Sequence, residues 1–219
     1  MTPNLEAAAI KAAEILIKHN VSCAPIIPLP ILNATPNVLV LSFTEMADQT
    51  GLDRENLVTM FGAENQDAVT LVKQINGNLC YFVAYNQRLP FYMLQRSLAR
   101  ELGHIVLGHD GSRPEDVRTT EALYFARYLL CPRPLIRAIQ DSGIPLTIEV
   151  VGNMTGCYGR CLAGIRKTPG ANVPAGLNRQ LRKQFSGYVR NYLNFQTIMA
   201  SEDDSGMADF GTFMDNYEE

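Results

Sequence analysis

Glu101 and His104 stand three residues apart in the stretch LQRSLARELGHIVLGHD, residues 94–110. On a helix each residue turns about 100° from the last. Ser97, Arg100, Glu101 and His104 then form one stripe, beside a core face of Leu94, Leu98, Leu102 and Ile105. Two histidines at i and i+4 on such a stripe can hold a divalent metal. A glutamate next to the first can take a proton from metal-bound water. Here the glutamate and the second histidine are in place, but the first ligand position carries Arg100. A guanidinium stays protonated in proteins and has no lone pair to coordinate a metal.

A third ligand must come from another element, and the next helical run offers Glu121. Phe125, four residues on, shares its face, so Glu121 points toward apolar surroundings and needs a partner there. Two antiparallel helices joined by a short loop could bring Glu121 to His104. Without a dication between them, Glu101 and Glu121 would be two facing carboxylates. Arg100 supplies positive charge and donors that can grip both, so it reads as an internal substitute for a metal. His109 lies roughly 140° around the helix from His104. It reads as a helix-end residue favoured by the dipole, and as an alternative ligand only if the helix ends early.

The elements around this stripe follow from pattern. Residues 5–19 read as an amphipathic helix with Leu5, Ala9, Ala12, Ile15 and Leu16 on one side and His19 at its end. The four prolines of APIIPLPILNATPN predict an extended crossing segment. VLVLSF at 38–43 reads as a strand, and MADQTGLDRENLVTMFG as a turn and a short helix. AVTLVKQI and LCYFVAYN flank Asn76-Gly77-Asn78 as the two arms of a hairpin. The motif helix is expected from Phe91 to His109, stopped by Asp110-Gly111. A second helix is expected from Thr119 or Thr120 to the Cys131-Pro132 boundary. Short helices follow from Leu135, with a helix, glycine turn and helix outline over 144–170.

SLARELGHIVLGH followed by TEALYFARYLLCP resembles the ImmA/IrrE family of zinc-dependent metallopeptidases. The family pattern is T-x-A-H-E-L-G-H-x-x-L-G-H and then E-A-x-x-F-A-x-x-L-L-x-P. The resemblance extends over about residues 60–135. It implies that Glu101 matches the catalytic base, His104 the second zinc histidine and Glu121 the glutamate ligand, with Arg100 departing at the first ligand. It implies an α+β fold: a small antiparallel sheet packed on a zincin-like helix pair, then a mostly helical C-terminal part. The expected organisation is a metallopeptidase-like domain over 1–135, a helical part with helix-turn-helix outline over 136–200, and an acidic mobile tail over 201–219. By analogy only, it also implies a peptide groove bordered by a sheet edge and work near repressors or stress responses.

The chain has 219 residues and a net charge of −3. Charge is unevenly spread. Residues 201–219 hold seven acids and no Lys or Arg, while 133–200 hold nine Lys/Arg against Asp141 and Glu149. The first twenty residues carry Glu6, Lys11, Glu14 and Lys18, which does not suit a signal peptide, and no run is long enough to span a membrane. Five cysteines without a disulfide-rich pattern suit reduced thiols and a cytoplasmic setting. Cys157 and Cys161, at i and i+4, read as small core residues rather than a metal pair.

Three readings stand. The first is a degenerate, metal-free metallopeptidase homologue acting as a binding or regulatory protein on a protein or peptide partner. The second is an active zinc endopeptidase with an unusual ligand set of His104, Glu121 and His109 or waters. The third is a nucleic-acid or repressor-binding module using Arg160, Arg166, Lys167, Arg179, Arg182, Lys183 and Arg190. No cofactor is expected in the first reading, and zinc in the second.

Overall fold

Gly103 lies where the two motif helices cross. A β-carbon there would stand 3.0 Å from a Phe125 ring carbon and 3.1 Å from the Ala122 carbonyl oxygen, so the absence of a side chain allows the close approach. The helices are α5 (Phe91–Val106) and α6 (Glu115–Leu130). They belong to a computed structural model that describes residues 1–60, 67–110, 112–158 and 171–203. Leu98, Leu102 and Ile105 of α5 and Ala122, Phe125 and Leu129 of α6 are buried, as the helical spacing requires. Helix α1 (Leu5–Lys18) lies against α6 and buries Ala8, Ala9, Ala12, Ala13 and Leu16. Four alanines on that face bring its backbone close.

The architecture is α+β, with a three-stranded sheet ordered β1-β3-β2. β2 (Ala68–Ile75) and β3 (Asn78–Tyr85) form the expected antiparallel hairpin. Asn76 and Gly77 both adopt positive φ, 51° and 81°, which is the geometry of a two-residue type I′ turn. The sheet as a whole is mixed, because β1 (Val38–Ser42) joins β3 in parallel. That leaves β2 at an edge, with Thr70 and Val72 facing the α5–α6 side. Ser42 closes β1 and opens α3 (Phe43–Thr50) with a reciprocal capping box to Glu45. Gly51, at φ 69°, separates α3 from α4 (Arg54–Met60).

Several expectations are corrected. The proline-rich segment contains a helix, α2 (Pro28–Asn33), rather than running extended throughout. Pro28 and Pro30 lie in its first turn, where backbone N–H groups have no helical acceptor in any case. Helix α6 begins at Glu115 rather than Thr119, after Pro114, with Glu115 and Asp116 favourably placed in its first turn. Beyond it come α7 (Arg133–Asp141), α8 (Ile148–Thr155) and α9 (Ala175–Asp203). Helix α9 has 29 residues, where short helices were expected. Leu181, Phe185 and Val189 on it are buried in the same cluster as α1, α5 and α6. Gln184 donates to the carbonyls of Leu16 and Val21, and Tyr188 to that of Met154.

The second half of the helix-turn-helix outline, with Cys161, Arg160, Arg166 and Lys167, lies outside the described residues. So does the acidic stretch from 204 onward. No described helix is long and apolar enough to cross a membrane.

The crossing at Gly103 gives a stability test. Gly103→Leu should destabilise the fold by about 2–3 kcal/mol through overpacking against Ala122 and Phe125. Gly103→Ala should lie near neutral, because its gain in helix propensity of about 1 kcal/mol offsets a tight contact. Urea denaturation of both variants checks this. Equal stability of Gly103→Leu and the parent would show that the helices do not cross there.

Candidate functional site

The motif helix does not run to His109. It ends at Val106, and Gly108 takes the left-handed conformation at φ 65°. The Gly108 N–H donates to the Ile105 carbonyl at 3.1 Å and the His109 N–H to the His104 carbonyl at 3.0 Å. This pair of bonds is the Schellman closure, which the leucine-glycine sequence favours because glycine adopts that φ without strain. Its consequence is that His109 folds back over the last turn. His109 is 5% exposed, and its Nδ1 lies 2.9 Å from Nδ1 of His104. His109 was expected as a helix-end residue favoured by the dipole, drawn into the site only if the helix ended early; the helix does end early, and His109 joins the site.

His109 Nε2 in turn meets Oε2 of Glu121 at 3.0 Å. Glu121 is 2% exposed and well provided for. The Asn4 N–H donates to Oε1 at 2.7 Å, and Arg113 Nη1 reaches Oε2 at 3.1 Å and Oε1 at 3.3 Å. Burial pushes the Glu121 carboxyl up, but Asn4, His109 and Arg113 together hold it below its ordinary value. An ionised Glu121 accepts only, so His109 donates from Nε2. The neutral His109 ring then accepts at Nδ1, and His104 donates from its own Nδ1. The free lone pair of this chain is therefore Nε2 of His104, on a residue that lines the cleft.

Arg100 and Glu101 form a separate unit. Arg100 Nε and Nη2 both approach Oε1 of Glu101, at 2.8 and 2.7 Å, and Nη2 also donates to the Ala68 carbonyl at 2.8 Å. Thr70 Oγ1 donates to Oε2 of Glu101 at 2.8 Å. Glu101 is 3% exposed, and burial holds its carboxyl above its ordinary value against the opposing pull of Arg100 and Thr70. Arg100 was expected to grip both acids. It holds Glu101 and does not reach Glu121, because the His109 ring and Arg113 fill that role. Ser97, on the same stripe, bonds to Asp67 at 3.3 Å.

These side chains line a cleft of about 390 Å³ between β2 and the α5–α6 pair. Thr70, Val72 and Tyr81 form its sheet side, Arg100 and His104 its base, and Arg118 and Thr119 its α6 side. Burial is the main cause of a His104 pKa pushed down to about 4, with further lowering by the adjoining His109 ring, which could not share a second proton, and by the guanidiniums of Arg100 and Arg118. His109 is lowered as well, mainly by burial and against the pull of Glu121.

Zinc on His104 and Glu121 would need both donors within about 2.2 Å of one point. The His109 ring separates them, one nitrogen facing each. Among the described residues, no three His, Cys, Asp or Glu are grouped to hold a metal ion. The arrangement fits a hydrogen-bond chain, not a converging ligand set.

Sequence reasoning brought Glu101, His104 and Glu121 to one region but missed Thr70, Asn4, Arg113 and Arg118. Thr70 is marked only by being a polar residue on the inward side of its strand. Asn4 acts through its backbone, which no side-chain pattern reveals.

The neutral His104 predicts a pH response. Its folded pKa of about 4 lies below the ordinary 6.5, so the unfolded chain binds the proton first. The stabilisation is complete above about pH 6.5 and is lost as pH falls to about 4, on the order of 3 kcal/mol in all. His104→Asn keeps a donor near His109 and removes the titration. Its stability in urea should vary less over that window; an unchanged pH slope would mean that His104 is not held neutral.

Compared with known proteins, the chain matches no family model, no curated protein and no solved structure.

Proposed function

We propose that this chain is a degenerate metallopeptidase-like protein that works by binding, with Arg100 in the place of the first metal ligand. The observation that carries this reading is the commitment of Glu101. Oε1 of Glu101 accepts from both Nε and Nη2 of Arg100 and Oε2 accepts from Thr70, so the carboxylate is held in an ion pair whose fixed cation opposes its taking a proton from water. Arg100 also brings a fixed positive charge to the position where a dication would bind, which disfavours a metal at His104.

Binding is supported by the cleft and by the strand beside it. β2 is an edge strand, with β3 on one side only among the described residues. An extended peptide can add to such an edge through main-chain hydrogen bonds, with side chains entering the cleft. Arg100 ties the first residue of this strand, Ala68, to α5 and so holds the edge against the helix pair.

Protein purified without chelator should carry no stoichiometric zinc and should leave an unfolded protein substrate intact. Arg100→His should gain zinc affinity through His104, and a second change, His104→Ala, should remove the gain. Stoichiometric zinc in the parent protein, lost on His104→Ala with a loss of proteolysis, would instead establish an active enzyme.

A further inference from the structure

The two arginines of the cleft are not equally occupied. Arg100 uses Nε and Nη2 on Glu101 and the Ala68 carbonyl, and its Nη1 has no hydrogen-bond partner among the described residues. Its side chain is 26% exposed, at the base of the cleft. Arg118 donates from Nε to the Arg113 carbonyl at 3.0 Å, and no described acid pairs with its terminal nitrogens. Both side chains line the same cleft as His104.

The acids around that cleft do not cancel them. Glu101 is consumed by Arg100 and Thr70. Asp110 and Glu115 are exposed at the rim, where water screens them; Asp110 accepts from the Ser112 N–H and feels Arg118 only as the least of the influences on its carboxyl, with no ion pair between them. The remaining unpaired donors point to a ligand that brings two acceptor oxygens and a negative charge. Guanidinium forks match a carboxylate in geometry as well as in charge.

We infer that the cleft binds a peptide by its C-terminal carboxylate, held by Arg100 and Arg118, with the preceding residues added to the free edge of β2. This rests on the peptide-binding reading above and names the end of the peptide that is recognised. A chain terminus suits the position, because the strand edge runs directly to the guanidinium of Arg100 through Ala68. A carboxylate there replaces water on groups that have no protein partner, so its contribution does not come at the expense of an existing bond.

The test uses the whole protein labelled with ¹⁵N-arginine, with Nε signals assigned through Arg100→Lys and Arg118→Lys. Three probes are titrated: N-acetyl-Val-Thr-Val-Ala as the free acid, the same peptide as its amide, and sodium acetate. The free acid should shift both arginine signals saturably, and the amide should bind at least about tenfold more weakly. Arg118→Gln should reduce binding of the acid by a similar factor. Equal binding of acid and amide would overturn carboxylate recognition while leaving the peptide-binding reading standing. Acetate binding as tightly as the peptide acid would also overturn it, in favour of a small-anion site. Absence of binding by all three would remove both readings.

Discussion

Two carboxylates buried in one helix pair have to be compensated, and the site is organised around that requirement. Glu101 and Glu121 are 3% and 2% exposed. An uncompensated charge at such depth is costly, so each has gathered its own donors. The two sets share no member. Glu101 draws on the preceding residue and the neighbouring strand. Glu121 draws on the histidine that folds back past the helix end, the loop arginine after it and the backbone of Asn4. Each acid is thus served by its own donors, and the cleft opens between the sheet side and the helices.

The fold was largely readable from sequence where period and turn chemistry agree. Asn76-Gly77 between two strand-like runs defines the hairpin, and leucines at helical spacing define the buried face of α5. Reading failed where one local signal was given too much weight. Prolines were treated as breakers, although two of them occupy the first turn of α2, where they are tolerated. Asp110-Gly111 was taken as the end of the motif helix, although Gly108 already allows a left-handed closure. That three-residue error changed the role of His109 from an outlying residue to the link between His104 and Glu121. The site was therefore legible in its helix residues and illegible in its partners. Thr70 reaches it through strand register, Arg118 through the true start of α6, and Ala68 through a carbonyl oxygen.

Arg100 has a role in the sheet as well as beside the acid. One nitrogen holds the carboxylate and also the first carbonyl of β2, so the charge compensation and the position of the edge strand depend on the same side chain. A shorter residue would satisfy neither. The arginine is in this sense a structural bracket between two layers.

The contact between the Asn4 N–H and Glu121 spans 117 positions of sequence. It places the opening turn of α1 within the hydrogen-bond shell of the site. Trimming by an aminopeptidase, or an affinity tag that displaces the first residues, would strip a donor from a buried acid without altering any residue of the helix pair. Material in which the residues around Asn4 are displaced would then differ in the electrostatics of the cleft.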